Sequence, residues 1–295
     1  MTDTTTTPGT PHTPGAPHTP GTPHTPGTRR TSARPTTTAA PRTTARARVV
    51  SLGRAELTLL VRNKAALTYA LLLPGSLTLS MTTFTSDIDL DKAGLSLATL
   101  VLPGSLGLAL ILAVYMNLVG VYVIRREELV LKRLRAGELT DPEILAGAAL
   151  PAVLMGLVQC VLMVAAVGPS LDAPMPKAPH LAVLGVAAGL ALMVALAAAT
   201  AVYTKTAESA QLTPMPVMLV SMLASGLFVP LDVMPDRVAA VCAWAPMTPV
   251  IDLLRAGWTG GMGAGEVLKA LATAAAWTAL AGWTVRRRFP WEPRR

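Results

Sequence analysis

The chain has 295 residues, 52% of them apolar and 14% charged, and a formal net charge of +8. Water-soluble domains carry about a quarter charged residues, and the apolar residues here come in long blocks that leave no polar helix face, which excludes a soluble globular protein. The basic residues sit in a tail and at the edges of the apolar blocks, where they orient a membrane protein and meet anionic lipid; a nucleic-acid surface would need them clustered on one soluble face.

Residues 1–47 form a Thr/Pro/Gly/His/Arg-rich tail in which the hexamer Thr-Pro-Gly-Thr/Ala-Pro-His repeats over 7–12, 13–18 and 19–24. Such a segment has too little apolar surface to offset chain entropy, so it is expected to be disordered and cytoplasmic. His12, His18 and His24 are read as incidental to the repeat. No apolar h-region appears in this stretch, so no cleaved signal peptide is expected. From 48 to 64 (RVVSLGRAELTLLVRNK), Arg48, Ser51, Arg54, Thr58 and Arg62 share one helical face. That pattern predicts a helix lying in the membrane interface; the alternative is a cytoplasmic extension of the first span.

Six blocks then have the ~20 apolar residues needed to cross ~30 Å of hydrocarbon. They fall at 65–86, 97–124, 144–168, 181–203, 212–230 and 267–285. The fold class is therefore all-α and polytopic, with a transmembrane domain over 48–288 and a basic cytoplasmic tail at 289–295. Orientation follows from Lys and Arg. With a cytoplasmic N-terminus, 20 of the 25 basic residues fall on the cytoplasmic side, and only Lys92, Lys177, Arg237, Arg255 and Lys269 fall outside. Both termini are thus expected in the cytoplasm.

The span interiors hold no Asp, Glu, Lys, Arg or His. Ion-coupled carriers, pumps and intramembrane enzymes place ionisable groups at membrane depth, so those classes are disfavoured. No G-x-x-x-x-G-K-[ST] loop is present to cradle a nucleotide, and the two cysteines, Cys160 and Cys242, form no metal motif and are read as packing residues. No catalytic residue, cofactor or metal is expected. Any energy for transport must come from another polypeptide. Within the spans, Asn117 and Ser225 are polar, and Met215, Met218 and Met222 recur at helical spacing. A methionine stripe can offer an adaptable apolar surface to varied ligands; ordinary packing is the alternative.

Two connections carry further information. Arg125–Glu143 (RREELVLKRLRAGELTDPE) follows the second span with dense mixed charge, yet Leu129, Val130, Leu131 and Leu134 are interleaved. This predicts a short helix with an apolar side, followed by Asp141 as N-cap and Pro142 at the first helical position. Pro230–Glu266 holds apolar segments at 238–245 and 250–258, too short to cross and too apolar for a free loop. They are expected as re-entrant or interfacial helices packed against protein, with Trp244 and Trp258 at the headgroups.

Three segments together resemble the permease subunit of ABC-2-type exporters, particularly the drug- and antibiotic-resistance exporters of actinobacteria. They are Leu60-Val61-Arg62-Asn63-Lys64 with Pro74 in the following span, the stretch 125–139, and Ser225–Pro230 with Met234-Pro235, Ala245–Pro249 and Leu254-Arg255. The chain departs from the family pattern where Gly-Thr usually follows the Glu, here Leu129-Val130, and where Gly137-Glu138 replaces the usual Pro. The resemblance implies two paired permeases, a homodimer or else a pair of unlike chains, each meeting a separate ABC ATPase subunit, two copies in all, through 125–139. It assigns ATPase coupling to Arg126, Glu127, Glu128, Lys132, Arg133 and Arg135, and a substrate pathway to Asn117, Met215, Met218, Met222 and Ser225. The implied cargo is an amphipathic drug, antibiotic or lipid-like molecule. A non-transporting anchor or immunity component, and an ATP-independent facilitator, are the alternatives.

Overall fold

The computed structural model describes residues 96–136, 140–228 and 234–291, with isolated positions at 58, 68, 76, 80 and 231. The expected tail, interfacial helix and first span otherwise lie outside the described residues. Every regular element among the described residues is helical. Three helical runs are long and apolar enough to cross a membrane: Leu97–Glu127, Asp141–Ser170 and Pro179–Tyr203.

The first run is one rod with an irregular middle. Its first section, α1 (Leu97–Ala109), starts on Ser96, whose Oγ accepts from the Thr99 amide at 3.2 Å. A π-helical segment, Leu110–Met116, follows, and α2 (Asn117–Glu127) completes the run. Tyr115 in the π segment places its hydroxyl 3.0 Å from Thr200 Oγ1 and donates to the Pro214 carbonyl at 3.3 Å. The chain then turns through Leu129, at φ 61°, into α3 (Val130–Arg135).

The next helix, α4 (Asp141–Ser170), is capped by Thr140. Glu143 Oε2 accepts from the Thr140 amide at 2.7 Å and from its hydroxyl at 2.8 Å. The cap falls one residue earlier than expected, because Thr140, not Asp141, keeps an extended backbone. Pro179 opens α5 (Pro179–Tyr203) at a position where a missing amide hydrogen costs nothing.

The fifth expected span differs most. Instead of filling 212–230, the helix α6 occupies Met215–Leu223, nine residues, or about 13 Å. Pro214 and Pro216 delay its start, and the turn after Leu223 runs through Gly226 at φ 68°. With the 3-10 turn Ser209–Gln211 before it, the whole apolar run is Ser209–Leu223, short of a full crossing. The short helices expected next are α7 (Asp236–Cys242) and α8 (Thr248–Thr259). Gly260 and Gly261, at φ 70° and 84°, end α8. The last helix, α9 (Ala264–Arg288), matches α5 in length but carries Glu266 and Lys269 near its start and falls below the other three in apolarity.

The core centres on α5, which packs against the π segment, α2, α8 and α9. Helices in lipid gain little from burying apolar surface, so close approach of small residues supplies the attraction. Gly185 and Gly189 face α8: a Cβ on Gly185 would meet Leu254 at 3.1 Å, and one on Gly189 would meet Leu110 at 2.6 Å and Val250 at 2.9 Å. In return Gly257 of α8 lies against Ala182. The deep face of α8, including Val250, Ile251, Leu253, Leu254 and Trp258, is buried, so Trp258 is a core residue and not a headgroup anchor. Trp244 is 73% exposed and takes the hydrogen bond of Trp277 on its carbonyl. Both cysteines are buried and free.

The contacts sort the connections to two ends of the bundle. Gly257 accepts from the Ala178 amide at 3.0 Å at one end. At the other, Phe289 stands edge-on to Tyr122 and Trp291, with ring centroids 6.4 and 5.1 Å away. Thus α3 and the segments around 140, 204–209 and 289–291 share one end.

Candidate coupling site

The stretch 125–136 divides into a buried and an open half. The buried face of α2 runs through Leu118, Val119, Tyr122 and Val123 at helical spacing, and the next turn brings Arg126 onto it. Arg126 is 0% exposed and is the one fully buried charged side chain among the described residues. Its guanidinium spans the C-terminal end of α5. Nη1 donates to the Ala201 carbonyl at 3.0 Å, and Nη2 to those of Thr204 at 2.6 Å and Lys205 at 2.9 Å. The last carbonyls of a helix have no partner within it and carry the negative end of its dipole. A planar cation with several fixed donors suits that position better than an ammonium. Glu127 adds a second tie, accepting from the Ala207 amide at 3.0 Å.

Beyond this, Leu129 holds a left-handed backbone at φ 61°, which costs a non-glycine residue about 1–2 kcal/mol. This is the position where the resembling pattern carries Gly. The turn reverses the chain so that α3 packs Leu131 and part of Leu134 inward. Glu128, Lys132, Arg133 and Arg135 lie on the open side. Arg135 is also engaged within the chain. Its Nε lies 3.0 Å from Asp141 Oδ1, and its guanidinium stacks 4.7 Å from the centroid of Trp291.

The six expected coupling residues therefore sit together in sequence but not in role. Glu128, Lys132 and Arg133 present charge outward, Arg135 joins α3 to the C-terminal aromatic pair, and Arg126 and Glu127 turn in toward the end of α5. Nothing in the local composition distinguishes Arg125 from Arg126. The signal is the helical register that carries Arg126 four residues beyond Tyr122, and it is readable only once the buried face is known.

The expected pathway residues are more dispersed. Met218 and Met222 pack partly against the core, whereas Met215 is 40% exposed. Ser225 is fully buried below α6, and Asn117 is half-buried at the start of α2. One half of α6, including Leu219, Val220 and Leu223, is apolar and exposed. A polar cavity of about 380 Å³ lies between α8 and α9 and is lined in part by Asp252, Arg255, Glu266 and Lys269. Arg255 also donates to the Gly226 carbonyl at 2.7 Å, tying α8 to the turn after α6.

Among curated proteins, none matches the chain significantly. The family model described as ABC-2 type transporter matches residues 48–258, a stretch that runs through α1 to the last turn of α8 and includes the coupling segment. The chain belongs to the ABC-2 type transporter family and is a membrane-embedded permease component.

Proposed function

We propose that this chain is the membrane half of an ATP-driven exporter, in which two copies pair and each takes one copy of a separate ATPase on α3. The observation that carries this reading is the build of α3. Leu131 and Leu134 fix it to the bundle, while Glu128, Lys132 and Arg133 face outward at the end reached directly from α2. A short helix held on one side and charged on the other suits a groove on a soluble protein, where mixed charge gives register and partner choice. That end faces the cytoplasm of a bacterial cell in this reading, in line with the excess of Lys and Arg in its connections.

The cargo is an amphipathic drug, antibiotic or lipid-like molecule. The described spans offer it apolar surface without ionisable groups at depth. Its path runs between the two copies along the exposed half of α6 and Met215, on the helix that also carries Met218 and Met222, and Asn117 and Ser225 supply polar groups to it.

Copurification from the cells that make the protein tests the proposal. The tagged chain is expected to bring down an ATPase in equal amount, together with a second, differently tagged copy of itself. Recovery with no ATPase would favour a non-transporting anchor. Flux of an amphipathic dye through vesicles depleted of ATP would favour a facilitator.

A further inference from the structure

Arg126 is fully buried, sits two residues before the turn into α3 and spends its guanidinium on the neighbouring helix. We infer that Arg126 and Glu127 are positioning residues that fasten α3 to α5, so that a displacement of α3 is delivered to α8 at the far end of the bundle. The inference rests on the reading of α3 as the ATPase dock.

Three observations carry it. First, the fastening is double and of opposite sign. Arg126 holds the Ala201 carbonyl in the last turn of α5 and those of Thr204 and Lys205 just past it, and Glu127 holds the amide of Ala207 in the same segment. Separating the two segments therefore means breaking charged hydrogen bonds, the stronger kind. Second, only the Glu128-Leu129 turn separates this pair from α3, and α3 is pinned in turn by the buried Leu131.

Third, α5 has little slack along its length where it meets α8. Gly185 and Gly189 receive Leu254 and Val250, Ala182 abuts the backbone of Gly257, and the Ala178 amide bonds the Gly257 carbonyl at 3.0 Å. Long side chains can absorb a shift by changing rotamer, whereas abutting backbones pass it on as a body. The 25 residues of α5 span about 37 Å, which is enough to join the two ends.

Spin labels test the fastening in the complex. Ala136, at the end of α3, and Glu208, beyond α5, are both exposed, and Cys160 and Cys242, both buried, are replaced by alanine. The ATPase must first copurify, and its absence would remove the dock itself, an outcome separate from the label data. A chain labelled only at Ala136 reports the distance between the two copies. That distance is expected to change between nucleotide-free and vanadate-trapped complexes, while the distance between 136 and 208 stays constant within about 1 Å. Arg126→Lys keeps the charge but loses the planar fork, and is expected to make the 136-to-208 distance differ between the two states by about 2 Å, the scale of helix shifts in switching proteins. A residue with a merely structural role would give no dependence on nucleotide. The inference is overturned by a 136-to-208 distance that changes with nucleotide in the parent chain, by one that stays constant in Arg126→Lys, or by an unmoving 136-to-136 distance.

Discussion

Replacing Gly257 by alanine tests the contact between α5 and α8 with a single added carbon. A Cβ there would stand 2.6 Å from the Cβ of Ala182, 2.9 Å from its amide nitrogen and 3.0 Å from its Cα. Carbon atoms pack best at about 3.5–4.0 Å, so α8 would have to withdraw by about 1 Å. No flexible side chain can yield in its place, because two of the three obstructing atoms belong to the backbone. Overpacking of this kind costs about 1–3 kcal/mol. Stretching the bond from the Ala178 amide to the Gly257 carbonyl adds about 1 kcal/mol, and the better helix propensity of alanine offsets a similar amount. The expected loss is about 1–3 kcal/mol. Gly120→Ala provides the control, because it adds the same atom to a helix where nothing lies within 4 Å. Thermal unfolding of both variants in one detergent should show Gly257→Ala several degrees below the parent and Gly120→Ala at or above it. Equal midpoints for the two variants would refute the reasoning from close backbone approach.

The remaining predictions concern the end that carries α3. Leu129→Gly removes a left-handed strain at a residue that is 38% exposed. It should raise stability by up to about 1 kcal/mol, whereas Leu129→Val, β-branched at the same backbone angle, should lower the unfolding midpoint. Arg126→Ala leaves the carbonyls of Ala201, Thr204 and Lys205 without their shared donor and should cost about 1–3 kcal/mol. Arg133→Ala, on the exposed side of α3, should change stability by less than about 0.5 kcal/mol, a contrast that the same thermal assay reads directly.

Much of the architecture is legible in the sequence because a membrane span is announced by what it lacks. The blocks expected at 144–168, 181–203 and 267–285 lie within the helices Asp141–Ser170, Pro179–Tyr203 and Ala264–Arg288. Their ends are marked by Pro179, by the basic residues 286–288, and by the Thr140–Glu143 cap. The same uniform apolarity hides the rest. A helix that is greasy all round does not reveal which face meets protein, so nothing shows that Arg126 continues the buried face of Tyr122 and Val119. Gly185 and Gly189 read as an ordinary pair in an Ala-rich helix, and only the arrival of α8 gives them a role. The nine-residue α6 shows the limit most clearly. Hydropathy continues through 212–230, while the prolines at 214 and 216 and the left-handed Gly226 shorten the helix. The π segment of the first described span has no counterpart in the residue pattern, since Leu110–Met116 is as apolar as its neighbours.

Charge reversal on α3 tests the central claim most directly. Lys132→Glu with Arg133→Glu alters the outward face while leaving Leu131, Arg126 and Glu127 in place. The account expects the doubly substituted chain to fold and unfold like the parent yet to lose the copurifying ATPase. Retention of the ATPase at the parent's level, with membrane insertion and stability unchanged, would contradict it and move the dock to another part of the chain.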